Sequence, residues 1–299
     1  MQQTAVEERL TRLYAAYHAT PDPQLERYQR GSQARNLVAW YDAHLRRSPY
    51  RWDDHGKPGF AFQALRAFSE GAGQGPPAGT LIDLGCGSGY TLAVIEELLQ
   101  NKERTAKLKL FGVDFALEGI KVAKQRTKKV QYVVADLMTL EFKKCFDYVL
   151  SLGVFEHLEN PVAAFRTMRD LLLPDGLAYV EIPVYNDDEE GFGRHVEGRQ
   201  LSWKLRKGTY EEIISGAGLV ILKDLGPIHV GVHPALQEHV AYLLAKPGSP
   251  YQRKGRFFSW PWTKFYFRYF FSHRRYVVPW FAPEIMKSAG RRLLRRRGD

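Results

Sequence analysis

The sequence predicts an α/β fold: a Rossmann-like, mostly parallel sheet with helices on both faces, an N-terminal helical cap and a C-terminal basic aromatic extension. Three observations carry that expectation. In Leu81-Ile-Asp-Leu-Gly-Cys-Gly-Ser-Gly-Tyr90 an apolar run (Leu81, Ile82, Leu84) meets glycines at 85, 87 and 89, and Thr91 to Leu99 then repeats apolar residues at helical spacing, so the glycines fall between strand and helix. Further apolar runs alternate with helical stretches at Leu108 to Val113, Val130 to Ala135 and Phe146 to Ser151. With 299 residues, 44% hydrophobic and 25% charged, the chain can bury the core of one ordinary domain and still carry extensions.

Taken in order, Val6, Leu10, Leu13, Tyr14 and Tyr17 give helical spacing over residues 5 to 18, Pro21 and Pro23 break it, and a second helix runs from Gln24 to about Leu45. An aromatic, charged loop from Ser48 to Gly59, with Tyr50 and Trp52, leads to a short helix at Phe60 to Phe68 and a linker from Gly71 to Gly79. After the glycine loop and its helix, the strand Leu108 to Val113 ends in Asp114 with Phe115 beyond it. A helix from Leu117 to Thr127, basic on one face, precedes the strand Val130 to Ala135 and then Asp136-Leu137. The strand Phe146 to Ser151 opens into Leu152-Gly-Val-Phe-Glu-His-Leu158 before a helix around Pro161 to Leu172, and Pro174-Asp-Gly176 turns into a strand at Leu177 to Ile182. Pro183 to Gly208 is long for a simple connection and holds an acidic cluster (Asp187 to Glu190) and Gly193-Arg-His195. A helix at Thr209 to Ala217 and strands at Leu219 to Leu222 and His239 to Ala245 follow. The chain thus divides into a cap (1–75), a cofactor domain (76–247, with an insertion at 183–208) and an extension (248–299).

Glycine at such a turn permits positive φ and close backbone approach to a ligand. A dinucleotide fits poorly: the spacing is G-x-G-x-G, and the carboxylate of Asp83, two residues before Gly85, would repel a pyrophosphate. S-adenosylmethionine (SAM) instead carries an ammonium and a sulfonium, both stabilised by nearby negative charge. Asp114, at the end of the second strand, can accept two ribose hydroxyls, with Phe115 over one face of the adenine. The D-x-G-x-G-x-G string from Asp83 to Gly89 resembles the first motif of the class I SAM-dependent methyltransferases, and Val154-Phe-Glu-His-Leu158 resembles their small-molecule branch, which includes ubiquinone-biosynthesis enzymes. The resemblance implies a seven-stranded sheet whose last two strands are antiparallel. It implies that Gly85, Cys86, Gly87 and Gly89 cradle the cofactor, that Asp136 binds the adenine amino group and that the Leu137 N–H meets a ring nitrogen. It also implies N-terminal helices and an insertion that enclose the acceptor. Leu152 to His157, at the carboxyl end of the fourth strand, should border the sulfonium.

Methyl transfer from a sulfonium needs mainly alignment, which contributes roughly 7 to 11 kcal/mol, and proton removal from a hydroxyl or amine acceptor. The histidines suited to accept that proton are His157 and His195. The spacing of Glu156, His157 and His195 does not demand a metal, and none is expected. Base methylation in nucleic acid is disfavoured: Ser151-Leu-Gly-Val lacks the Asn/Asp-Pro-Pro-aromatic string of exocyclic-nitrogen enzymes, and Cys145 lies at the wrong end of its strand for a carbon-5 nucleophile. Two cysteines without a C-x-x-C pair exclude a disulfide framework or thiolate zinc site and suit a reducing compartment. No signal-like or membrane-spanning apolar run is present, so a cytoplasmic protein is expected.

The formal charge of +10 resides in the extension, where Pro250 to Asp299 holds thirteen Lys/Arg against two acidic residues. Fourteen aromatic residues between Tyr251 and Phe281 are interleaved with those cations. Residues 251–297 therefore read as a peripheral anchor to an anionic membrane surface, at the inner face. The expected activity is SAM-dependent methylation, at oxygen, of a small-molecule acceptor that is lipid-linked or a glycan. The alternatives are an RNA methyltransferase that holds nucleic acid through the basic tail, and an inactive methyltransferase fold serving as a binding subunit.

Overall fold

The computed structural model describes residues 4–19, 57–72, 78–100, 108–140, 146–186, 189–193, 202–228 and 238–253. Strands β1 (Gly79–Leu84), β2 (Leu108–Asp114), β3 (Gln131–Val134), β4 (Phe146–Leu152) and β5 (Leu172–Val184) run parallel, in the spatial order β3-β2-β1-β4-β5. Two short strands, β6 (Gly191–Gly193) and β7 (Ser202–Lys204), form a separate antiparallel hairpin. Then β8 (Val220–Ile228) and β9 (Glu238–Ala245) complete a seven-stranded sheet, with β9 antiparallel between β5 and β8. The strand order reverses between β1 and β4, so the carboxyl ends of these two strands flank the crevice in which open α/β sheets hold their ligands.

Side chains of β1 alternate across the sheet and define its two layers. Ile82 and Leu84 join a core with Val6 and Leu10 of α1 (Ala5–Ala19) and with Phe165, Tyr210 and Ile213. Leu81 joins a second core with Leu65 and Phe68 of α2 (Lys57–Ala72), Leu92 and Ile95 of α3 (Tyr90–Gln100) and Ile120 of α4 (Leu117–Arg126). The first face is completed by α5 (Pro161–Leu171), which carries Phe165, and α6 (Lys207–Gly216), which carries Tyr210 and Ile213. The start of α5 follows from its sequence: the Asn160 side chain accepts the Ala163 N–H at 3.0 Å, and Pro161 occupies the first turn, where no N–H is needed.

The first helix is attached as well as capped. Thr4 and Glu7 form a reciprocal pair, with the Thr4 N–H donating to Glu7 Oε2 at 2.8 Å and the Glu7 N–H to Thr4 Oγ1 at 3.3 Å. Arg166 of α5 meets the same carboxylate with both terminal nitrogens, at 2.5 and 3.0 Å, and this contact holds the Glu7 carboxyl below its usual range.

The antiparallel final pair and the helices on both faces agree with the sequence reading, and three details differ. First, β5 begins at Leu172, ahead of Pro174-Asp-Gly176: the register jumps from Leu172 opposite Phe146 to Leu177 opposite Tyr148, so those residues bulge out of the strand without preceding it. Second, β8 continues to Ile228 where Leu222 was the expected end. As an edge strand it tolerates Lys223, Asp224 and Pro227, and its register shifts around them. Third, the insertion contains the β6–β7 hairpin, with Phe192 opposite Trp203. The helix expected from Gln24 to Leu45, the loop from Ser48 to about Gly56 and the extension beyond Arg253 lie outside the described residues.

Candidate functional site

The glycine loop is held against β2 from its first residue. The N–H groups of Gly85 and Cys86 both donate to the Val113 carbonyl, at 2.8 and 3.0 Å, and the Gly89 N–H closes a turn on Cys86 O at 2.9 Å. Gly85, Gly87 and Gly89 all have positive φ (76°, 52° and 72°), where a side chain is strained. Packing tightens the requirement at two of them. A Cβ on Gly85 would stand 2.5 Å from Val154 Cγ2, and one on Gly89 would stand 2.6 Å from both Ala123 Cβ and the Tyr132 hydroxyl. Gly85 and Gly89 thus let the loop pack closely on the segment after β4, on α4 and on β3. Cys86 is buried, with its sulfur filling the space over Gly112. Asp83 is buried near Tyr132, whose phenol is pushed up by burial first and then by the charges around it, including that of Asp83.

Asp114 ties the second strand to the loop. Its Oδ2 accepts the Gly87 N–H and its Oδ1 the Ala116 N–H, both at 2.8 Å, and the residue is 4% exposed. Each carboxylate oxygen has a second acceptor direction. Phe115 beside it is half-buried. Beyond β3, Asp136 is exposed and its Oδ1 accepts the Met138 N–H at 2.9 Å, forming a tight turn, while the Leu137 side chain is buried in the core of the α5 face. Toward the carboxyl ends of β1, β2 and β3 the three aspartates are staggered: Asp83 is level with Gly112, Asp114 pairs with Val134 one step beyond the end of β1, and Asp136 lies two residues past Val134.

At the end of β4, Ser151 Oγ donates to the Leu84 carbonyl at 3.2 Å, and Leu152 lies half-buried opposite Glu181 of β5. Gly153 takes φ +61°, and its N–H donates to the Glu181 carbonyl at 3.0 Å. A 3-10 turn at Phe155–His157 follows. His157 is partly exposed, with Nε2 3.6 Å from Glu156 Oε1. His195 lies outside the described residues. The sequence reading missed two residues that the fold brings here, Glu181 and His239. His239 Nδ1 hydrogen-bonds Glu181 Oε1, and the pair stands beside Gly153, where a Cβ would lie 3.4 Å from Glu156 Oε1 and 3.7 Å from Glu181 Oε2. Burial opposes charge on His239, but the Glu181 and Glu156 carboxyls outweigh it and raise the imidazole above its usual range. Burial raises the Glu156 carboxyl, with the Glu181 charge adding to the rise and His157 and His239 opposing it. One signal was available: Glu181 is the only charge in the apolar run from Leu177 to Ile182.

A parallel sheet with a positive-φ glycine turn at its switch point and buried carboxylates at the strand ends defines a nucleoside-binding α/β domain, and residues 82–180 match the family model described as a methyltransferase domain. Residues 82–180 are thus the methyltransferase domain of a SAM-dependent enzyme, with SAM as its methyl donor. Trans-aconitate 2-methyltransferase of Azoarcus is 25% identical over 231 residues, 65% of this chain and 87% of that protein. The ubiquinone biosynthesis O-methyltransferase of Xanthomonas campestris is 27% identical over 168 residues, 53% of this chain and 66% of that protein. Among solved structures, 1,6-didemethyltoxoflavin-N1-methyltransferase of Burkholderia thailandensis, bound to 1,6-didemethyltoxoflavin and S-adenosylhomocysteine, shares the fold with a TM-score of 0.54. It is 16% identical and covers 76% of this chain and 92% of its own.

Proposed function

We propose that the chain transfers the methyl group of SAM to an oxygen of a small-molecule acceptor that is lipid-linked or a glycan. The observation that carries the donor half is the convergence of the glycine loop, Asp114 and the β4 end on one crevice. In this reading Asp83, Gly85, Cys86, Gly87 and Gly89 line the methionine end of the donor. Asp114 takes the ribose hydroxyls on its second acceptor directions. Phe115, Asp136 and Leu137 hold the adenine, and Leu152 flanks the sulfonium. Bound SAM supplies a methyl carbon already activated by the positive sulfur, and its transfer to a hydroxyl frees one proton. His157 accepts that proton, with His195 as the second candidate.

The cap of residues 1–75 and the insertion at 183–208 form the acceptor side of the domain at 76–247. Support comes from α1, whose Tyr14 packs 4.9 Å from Phe192 of the insertion. A small acceptor is favoured by the resemblance to the trans-aconitate enzyme, and methylation at oxygen by that to the ubiquinone biosynthesis O-methyltransferase. The direct test compares metabolite extracts incubated with isotopically labelled SAM, with and without the protein. A labelled methyl ether or ester is expected, and label confined to nitrogen would overturn the oxygen assignment.

The extension from 248 to 299 then serves as a peripheral anchor to an anionic membrane surface. No helix among the described residues is long and apolar enough to cross a membrane. The anchor depends on the charge and aromatic content of 251–297. In liposome co-sedimentation the full chain should pellet with vesicles containing phosphatidylglycerol and stay in solution with neutral ones. Equal recovery for the full chain and a version ending at 249 would remove the anchor.

A further inference from the structure

Two carboxyl groups lie at the end of β4, and their surroundings differ. Glu181 is matched by His239, whose Nδ1 hydrogen-bonds its Oε1. Glu156 is 5% exposed and its Oε2 is buried without a hydrogen-bond partner among the described residues. The imidazole of His157, on the same turn, places Nε2 3.6 Å from Oε1. The other titratable groups around it are Glu181 of β5, His239 of β9 and Tyr210 of α6, and none hydrogen-bonds Oε2. A buried carboxyl with an empty acceptor position is costly unless something occupies that position for part of the working cycle. The turn that carries Glu156 packs on the donor loop, because Val154 fills the space left by the missing side chain of Gly85. It also stands at the carboxyl end of β4, beside the switch point.

We propose that Glu156 supplies the counter-charge to the sulfonium of SAM and thereby distinguishes the donor from its neutral product, S-adenosylhomocysteine. The inference rests on SAM binding at the glycine loop. Burial raises the proton affinity of Glu156 in the free protein. When the sulfonium enters, the carboxyl ionises and its proton leaves for solvent. After transfer the sulfur is neutral, the carboxylate has lost its partner and recovers a proton, and the product is held less tightly. SAM and S-adenosylhomocysteine carry the same amino, carboxylate, ribose and adenine groups, so the discrimination falls on the one group that differs. The acceptor does not enter the argument.

The test is calorimetric titration of the full chain with SAM and with S-adenosylhomocysteine at one pH, in buffers of different ionisation enthalpy. SAM should bind with net proton release and S-adenosylhomocysteine without it. An analogue with an ammonium in place of the sulfonium should behave like SAM. SAM affinity should rise with pH through the raised Glu156 titration, because the ionised form binds the cation, while the product's affinity stays level. Glu156→Gln keeps the shape and removes the charge: the proton release should vanish and the preference for SAM over product should fall roughly tenfold, about 1.4 kcal/mol. Equal proton counts for the two ligands in the unsubstituted protein, or release that survives in Glu156→Gln, would overturn the proposal. The first comparison decides even if the variant does not fold. Failure of both ligands to bind would instead defeat the donor-site assignment itself.

Discussion

Asp114→Ala is expected to abolish detectable SAM binding in a calorimetric titration. Two effects combine. The carboxylate proposed to accept the ribose hydroxyls is removed, and charge-assisted hydrogen bonds of that kind contribute about 1.5 to 3 kcal/mol each. The substitution also leaves the Gly87 and Ala116 N–H groups without their acceptor, so the loop loses the bond that fixes its middle residue. Asp114→Asn separates the two effects. Its amide oxygen can still accept one backbone N–H, so the fold should remain near that of the unsubstituted protein while SAM affinity drops by about a hundredfold. Normal SAM affinity in Asp114→Ala would show that the ribose is bound elsewhere.

Trp203→Ala should produce the largest loss of stability, about 3 to 5 kcal/mol, read as the shift in the denaturant midpoint at unchanged slope. The indole is fully buried, lies 5.1 Å from Phe192 and 6.3 Å from Tyr14, and donates its Nε1–H to the Leu158 carbonyl at 2.9 Å. It therefore joins the insertion, the first helix and the segment just after the 3-10 turn of Glu156 and His157. Trp203→Phe retains most of the apolar contact and gives up the hydrogen bond, and should cost about 1 to 2 kcal/mol. A loss below about 1 kcal/mol for the alanine variant would mean that the hairpin is not anchored through this ring.

The parts of the fold that could be read from the sequence are those in which one local signal decides one element. The glycine string between an apolar run and a helical run placed β1, the loop and α3, and the stretch from Pro161 placed α5. The strands of the β6–β7 hairpin are three residues each, too short for alternation to stand out, and they form because Phe192 and Trp203 find a shared core with α1. Within the candidate site, the acidic strand ends were legible because each stands within two residues of the end of its own strand. Glu181 and His239 were not, being 58 positions apart and joined only when β9 pairs with β5. The glycines were read for their service to a ligand, and the collisions with Val154, Ala123 and Tyr132 add a reason that needs the neighbouring elements in place.

The position of β9 has a consequence for how the protein is made. Among the described residues it is the last strand in sequence, yet it lies inside the sheet, between β5 and β8. Until residue 245 has left the ribosome, β5 keeps an open row of backbone donors and acceptors along the eight residues Leu177–Val184, all buried in the finished protein. The donor loop is encoded more than 150 residues earlier but stands on a sheet that closes only then. A nascent chain stopped short of β9 would present β5 as a sticky edge, so its synthesis is the interval in which holding chaperones matter most.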